Sequence, residues 1–406
     1  MKIKNLAGRA FLASILSGIM VFHSHGQAGA NSSLAEANNA FAIDFFKQAS
    51  KPSENVIFSP YSISAAFALT YAGAVGDTAS QMQKALHWTG PAYQVASEFA
   101  ALNKILQGTQ KEGVVQLSIA NALWPQKGYN FQRDYLSLLE QTFNTSLLEA
   151  DYAKQPETER SRINQWVEQQ TKNRIKDLMP PNSINRLTRL VLANAIYFKA
   201  DWQAPFQTNL THPALFHLGS AGMVKVPFMA KQSDFRYAAM PTFKMLELPY
   251  KGKELSMLVI LPDKKEGLPE LEKELSSTKL ETWTQALRST EVSVFLPRFN
   301  MVFQLKLNDA LKALGMKNAF SATLADFSGM TGKRDLCISE AIHKAFVEFN
   351  EEGTEAAAAT GIVMAPTSIA RPREIPVFRA DHPFLYVIRH DATGTILFLG
   401  RLSDPK

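Results

Sequence analysis

A single cysteine, Cys337, stands in a chain of 406 residues. No disulfide can therefore form within the chain, and no metal site of several thiolates can be built. Stability has to come from the core, and a hydrophobic content of 46% is enough for a large one. Cys337 sits in Leu336-Cys337-Ile338 and reads as a buried strand residue, not a reactive thiol. There is no Gly/Ser-rich linker, charge block, internal repeat or heptad series. The chain thus reads as one large domain in spite of its length.

Catalytic signatures are missing as well. The sequence has no Gly-x-Ser-x-Gly elbow, no His-Glu-x-x-His and no dinucleotide fingerprint. Gly329-Met330-Thr331-Gly332-Lys333 lacks both the spacing and the following Ser or Thr of a phosphate loop. His212 and His217 are too far apart in sequence to align on one helix face. No enzyme, metal site or cofactor is expected. Lys and Arg are spread and not interleaved with aromatics, so nucleic-acid binding has little support.

Lys2, Lys4 and Arg9 precede an apolar run over 10–22, and Ala28-Gly29-Ala30 offers a small-residue cleavage site. That pattern predicts a secretion signal over 1–30, and with it a secreted or periplasmic protein. The apolar run is short of a full membrane span, and no other stretch could cross a bilayer. Three of the basic residues behind the net charge of +6 lie in this leader, so the rest is only mildly basic.

Further on, residues 34–48 carry helical spacing, and 55–58 read as a short buried strand. Ser59-Pro60 starts a helix over 61–74 that is apolar on nearly all sides and belongs inside the protein. Asp77-Thr78 is read as the cap of another helix. Strands are expected over 114–120, 189–198 and 293–298, a surface helix over 161–178 with Trp166 inward, and a hairpin of 245–250 with 255–261. A helix over 307–314 ends at Gly315.

The most unusual stretch is Glu351-Glu352-Gly353-Thr354-Glu355-Ala356-Ala357-Ala358-Ala359-Thr360, continuing through Gly361 to Pro376. Strand-like Ala345-Phe346-Val347-Glu348-Phe349-Asn350 precedes it; Val377-Phe378 and residues 383–388, also strand-like, follow. As a loop it is too apolar. As a helix it is limited to about two turns by Gly353 and Gly361. As a strand, it puts small Thr354, Ala356, Ala358 and Thr360 on one face, able to enter a packed sheet without overpacking it. Long connections of this kind are commonly functional.

This hinge resembles the reactive-centre hinge of the serpins, the serine protease inhibitors. Phe378-Arg379-Ala380-Asp381-His382-Pro383-Phe384-Leu385-Tyr386-Val387-Ile388 is similar to that family's C-terminal signature. Asn55-Val56-Ile57-Phe58-Ser59-Pro60-Tyr61-Ser62-Ile63, Asn194-Ala195-Ile196-Tyr197-Phe198-Lys199-Ala200-Asp201-Trp202 and Ala341-Ile342-His343-Lys344-Ala345 resemble further landmarks, in the family's order. The resemblance implies an α+β serpin fold: three β-sheets, eight to nine helices and an exposed reactive-centre loop. The domain would span 31–406 and the loop about 351–377.

By the same resemblance, Ser59, Ser62, Asn194 and His343 form the shutter where the central strands part. Trp202, Arg298 and Glu351 form the breach where insertion begins. The hinge is Glu351, Gly353, Thr354, Glu355, Ala356, Ala357, Ala358, Ala359 and Thr360. The implied activity is suicide inhibition by a metastable fold. A target protease cleaves the loop and stays acyl-linked. It is trapped as the freed segment inserts into the sheet. Counting from the hinge puts the reactive bond at Thr367-Ser368; counting back from Phe378 puts it at Ile369-Ala370 or Ala370-Arg371. These residues suit an elastase-like, subtilisin-like or cysteine protease, since Pro372 should block cleavage after Arg371. A monomer is expected, with loop-sheet polymers as a hazard. The alternative is a non-inhibitory serpin acting as carrier, chaperone or storage protein.

Overall fold

The computed structural model describes residues 26–51, 53–110, 114–143, 147–353 and 374–406. The hinge residues 354–360, the candidate reactive bonds at 367–371 and most of the leader lie outside the described residues.

Helix α1 (Gly26–Ala49) leads to strand β1 (Val56–Phe58) and helices α2 (Pro60–Tyr71), α3 (Gly76–Ala85) and α4 (Ala92–Gly108). Strand β2 (Val115–Pro125), helices α5 (Arg133–Phe143) and α6 (Pro156–Gln170), and strand β3 (Leu190–Ala200) follow. Strands β4 (His212–His217), β5 (Met223–Ala239), β6 (Phe243–Pro249) and β7 (Leu255–Pro262) precede helices α7 (Leu268–Glu274) and α8 (Ser277–Gln285). The remainder is β8 (Arg288–Pro297), β9 (Phe299–Lys306), α9 (Leu307–Ala313), α10 (Ser328–Thr331), β10 (Glu340–Phe349), β11 (Val377–Arg379), β12 (Phe384–His390) and β13 (Ile396–Leu402).

Helix α2 begins as its sequence dictates. Ser59 Oγ accepts from the Ser62 N–H at 3.1 Å, and Pro60 occupies the first turn. Every residue of α2 but Ala65 is buried, which places it under the sheets. Helix α3 differs from expectation. Its flanking residue is Val75, Asp77 lies in the first turn, and no side chain caps it. Thr78 is buried, and its hydroxyl instead accepts from the Asp326 N–H at 2.9 Å. Cys337 is half-buried and outside any strand, and burial raises its thiol pKa.

One sheet has four strands in the order β2-β3-β10-β9. Its pairings are antiparallel except one: β3 and β10 run parallel, with 191–198 matched to 340–347 over eight positions. The other sheet follows the path β1-β13-β12-β7-β6-β5-β8-β11, with β4 on β5. Strand β5 is 17 residues long. It pairs with β8 over most of its length and with β6 only over 236–239. Two groups of strands are thereby joined into one nine-stranded sheet, so two sheets are counted where three were expected. Ten α-helices are counted among the described residues, against eight to nine expected.

The two faces of the four-stranded sheet bury different partners. On one side Ile163 and Val167 of α6 pack with Ala193, Ala195 and Tyr197 of β3. The other side joins the main core with α2 and the nine-stranded sheet.

Candidate functional site

The β3–β10 seam is the axis of the site. At its middle a polar row crosses three strands. Asn121 of β2 is in register with Asn194 of β3, which is in register with His343 of β10. The Asn194 amide donates to Asn121 Oδ1, to Ser62 Oγ at 2.7 Å and to the Ser62 carbonyl at 2.9 Å. His343 Nε2 accepts from the Ser59 N–H at 3.1 Å, so its proton sits on Nδ1 and is donated to Asn194 Oδ1. Ser59, Ser62, Asn194 and His343 are fully buried. Desolvation lowers the His343 pKa from 6.5 to about 3, keeping the ring neutral. The start of α2 thus satisfies the polar row from beneath.

At the top of the seam the chain leaves β10 and reverses. Asn350 and Gly353 exchange backbone hydrogen bonds of 3.0 and 3.3 Å, closing a tight turn. Gly353 then forms an antiparallel bridge with Asp201, just past the end of β3. The Trp202 N–H donates to the Glu352 carbonyl and the Phe206 N–H to the Glu351 carbonyl, both at 2.6 Å. Gly353 has φ 132°, and an added Cβ would lie 2.6 Å from both Asp201 Cα and Trp202 N. Only glycine fits here.

Trp202 organises this corner. Its Nε1–H donates to the Asn350 carbonyl at 3.0 Å, and its ring stacks on Tyr250 with centroids 4.6 Å apart. Glu351 is buried to 6% exposure. It accepts from Thr211 Oγ1 at 2.8 Å and faces Arg298 at 3.8 Å. Burial and the charges of Asp201 and Glu351 raise the Glu352 pKa. The loop's other end is anchored on the nine-stranded sheet, where the Ser293 N–H donates to the Pro376 carbonyl and β11 pairs in parallel with β8.

The structure thus brings Ser59, Ser62, Asn194 and His343 into one hydrogen-bonded group. It also brings Trp202, Arg298 and Glu351 to one corner. Sequence reasoning missed Asn121, Thr211, Asn350 and Tyr250. Asn121 had a signal: a lone amide in the apolar run Ala120-Asn121-Ala122-Leu123-Trp124. The other three are set by tertiary packing alone. Among the described residues no group of three or more His, Cys, Asp or Glu side chains could hold a metal ion.

Residues 36–405 match the family model described as Serpin (serine protease inhibitor). The chain is a serpin. It is 42% identical to human leukocyte elastase inhibitor over 383 residues, covering 92% of this chain and 99% of that one. It is 41% identical to human serpin B3 over 391 residues, covering 92% and 100%. Uncleaved ovalbumin superposes with a TM-score of 0.84 at 32% identity, over 92% of this serpin and all of that chain. The thermophilic serpin tengpin in its native state gives 0.82 at 27% identity, over 91% and 94%. This serpin is a protease inhibitor and not an enzyme.

The same matches correct the expectation of a secreted or periplasmic protein. The human and bovine elastase inhibitors are matched over 99% of their own length by 92% of this serpin, and the family match begins only at residue 36. The leader-like segment, on which that expectation rested, lies outside what the relatives share. Among the described residues no helix is long and apolar enough to cross a membrane.

Proposed function

We propose that residues 31–406 act as a suicide inhibitor whose loop, about 351–377, is bait for an elastase-like protease. The observation that carries this reading is the antiparallel Gly353–Asp201 bridge at the head of a parallel seam. The chain has already turned back toward the sheet that it must enter. A strand continuing from Gly353 between β10 and β3 would run antiparallel to both. Insertion would exchange one parallel pairing for two antiparallel ones, which are the more stable kind per residue.

The energetics support this direction. Roughly a dozen new ladder hydrogen bonds at about 1 kcal/mol net each give on the order of 10 kcal/mol, before side-chain burial. The uncleaved fold is then kinetically trapped. Trp202, Arg298 and Glu351 act as the latch at the breach, and Ser59, Ser62, Asn194 and His343 as the shutter. The hinge is Glu351 and Gly353 through Thr360, and its part from Thr354 onward enters first. The small residues of that hinge favour inhibition over a carrier, chaperone or storage role. The nucleophile belongs to the target: its serine attacks the carbonyl before the scissile bond, and the ester persists because the protease is carried away and distorted before water deacylates it. Similarity to leukocyte elastase inhibitors, together with the small and β-branched residues at Thr367-Ser368 and Ile369-Ala370, favours elastase-like targets over trypsin-like ones.

Incubation with neutrophil-type elastase, subtilisin, chymotrypsin, trypsin and papain tests this, read by denaturing gel and intact mass. A covalent species at the summed mass, with a released C-terminal peptide beginning at Ser368, Ala370 or Arg371, is the expected result for elastase. Cleavage with no complex and no rise in melting temperature would refute the trap.

A further inference from the structure

A pocket of about 710 Å³ lies where the end of α1, helix α7, the tail of β13 and the β4–β5 turn meet. None of its lining residues belongs to the seam or the loop. We propose that it binds a medium-chain anionic amphiphile, a fatty-acid-like carboxylate, with one molecule per chain.

Its floor is apolar and fixed. Phe46, Leu268 and Pro383 are buried, and Leu218 closes one side half-exposed. The volume falls in the range usual for small-molecule sites, roughly 300–1,000 Å³. An alkyl chain would remove this floor from water.

Its upper wall is cationic. Lys47, Lys265 and Lys273 line the pocket and are exposed. Lys47 Nζ donates to the Leu275 carbonyl at 2.8 Å, and Lys265 Nζ lies 2.9 Å from His217 Nε2. Neither contact neutralises an ammonium. Lys265 also lies within electrostatic reach of Asp381. The lining carboxylates are Glu266 and Glu272, and Glu272 is engaged by Arg401 at 2.8 Å. Cations outnumber carboxylates on the lining, which favours an anion over a neutral or cationic head group.

Two buried groups make this a built site and not a surface dimple. Arg401 is 2% exposed. Its guanidinium is held by the carbonyls of Glu54 and Lys51 and lies over the Phe46 ring at 5.6 Å. It fixes this side of the wall, its charge paired with Glu272, so the unpaired positive charge comes from the lysines. Ser403 is 7% exposed, and its hydroxyl has no hydrogen-bond partner among the described residues. A buried hydroxyl without a partner is costly and uncommon. A carboxylate oxygen would accept its proton while the lysines take the charge. A polyphosphate does not suit the apolar floor, and a cationic amphiphile does not suit the wall.

The test uses the full chain with sodium decanoate below its micelle-forming concentration, followed by titration calorimetry and thermal unfolding. One saturable site and a raised melting temperature are expected for decanoate. Binding should be roughly tenfold weaker for 1-decanol and absent for decyltrimethylammonium. Lys273→Ala changes an exposed side chain and should leave the unliganded melting temperature in place; Lys47→Ala also removes the bond to the Leu275 carbonyl, and each should weaken decanoate several-fold. Ser403→Val should weaken decanoate more than 1-decanol. Equal binding of the anionic and cationic amphiphiles, or wild-type affinity in both lysine variants, would overturn the proposal. So would binding to phosphatidylglycerol vesicles without saturable uptake of decanoate.

Discussion

Asn194 of β3 and His343 of β10 stand directly opposite each other and share a side-chain hydrogen bond across the one parallel pairing of their sheet among the described residues. Opening the sheet between these strands would break that hydrogen bond. Ser62 and Asn121 are bonded to Asn194, and Ser59 to His343, so the start of α2 holds both sides of the pair.

The first prediction concerns acid. The folded-state pKa of His343 is about 3, below the unfolded value of 6.5. The unfolded chain therefore binds the proton first. The contribution of the neutral ring is complete above pH 6.5 and is lost as pH falls from 6.5 toward 3. The urea midpoint should fall across that window. His343→Gln should be roughly 1–3 kcal/mol less stable at pH 7 and should show a flatter acid dependence. Parallel curves for the two proteins would remove His343 as the cause.

Gly353 is the second. Any side chain there collides with the backbone of Ala200, Asp201 and Trp202. Gly353→Ala should cost about 1–3 kcal/mol and loosen the turn at the head of the seam. Differential scanning calorimetry should show a lower melting temperature, and native gels should show faster polymer formation on warming. Wild-type behaviour on both would mean that the turn can shift without loss.

The third weighs the Arg298–Glu351 pair. Arg298 is 54% exposed and 3.8 Å away, so solvent screens it. Arg298→Ala should cost less than about 1 kcal/mol. Glu351→Ala should cost more, because it also strands the Thr211 hydroxyl. A double-mutant cycle in urea reads the coupling directly, and a coupling above about 2 kcal/mol would contradict this ranking.

The fourth tests the hinge. Thr354→Arg, Ala356→Arg and Ala358→Arg each place a long charged side chain on the face that, in the proposed mechanism, enters the sheet. With elastase each should divert the reaction from covalent complex to cleaved inhibitor, raising the stoichiometry of inhibition several-fold. The melting temperature of the uncleaved protein should not change. A stoichiometry near that of the wild type in all three would mean that this face does not enter the sheet.

Much of this architecture was legible in the residues, and the gaps have physical causes. Ser59-Pro60 announced α2, and the apolar circumference of that helix announced its burial. The hairpin across Lys251-Gly252-Lys253 was clear because two largely apolar stretches, broken only by Glu247 and Ser256 within 245–250 and 255–261, flank a short Lys-Gly-Lys turn. Strand β5 went unread: its first half alternates Pro227 and Lys225 with buried Val224, Val226 and Phe228, and no local signal shows that one strand serves two groups of partners. At the top of the seam, Glu351 and Trp202 could be placed by likeness to a family. Thr211 and Asn350 could not, since their roles come from where the chain crosses itself. Asp77-Thr78 failed as a cap because a buried threonine found a partner far away in sequence.

The seam is also a ruler. Its neighbour β3 has eleven residues, a track of about 36 Å at roughly 3.3 Å per residue. From Thr354 to Thr367 the chain has about 14 residues, or roughly 46 Å when extended. Cleavage at Thr367-Ser368 or at either later bond leaves more chain than the track needs. Transit of the full track is thus insensitive to which of these bonds a protease selects, so the choice of target can drift through the loop's far half without recalibrating the distance over which the captive is hauled.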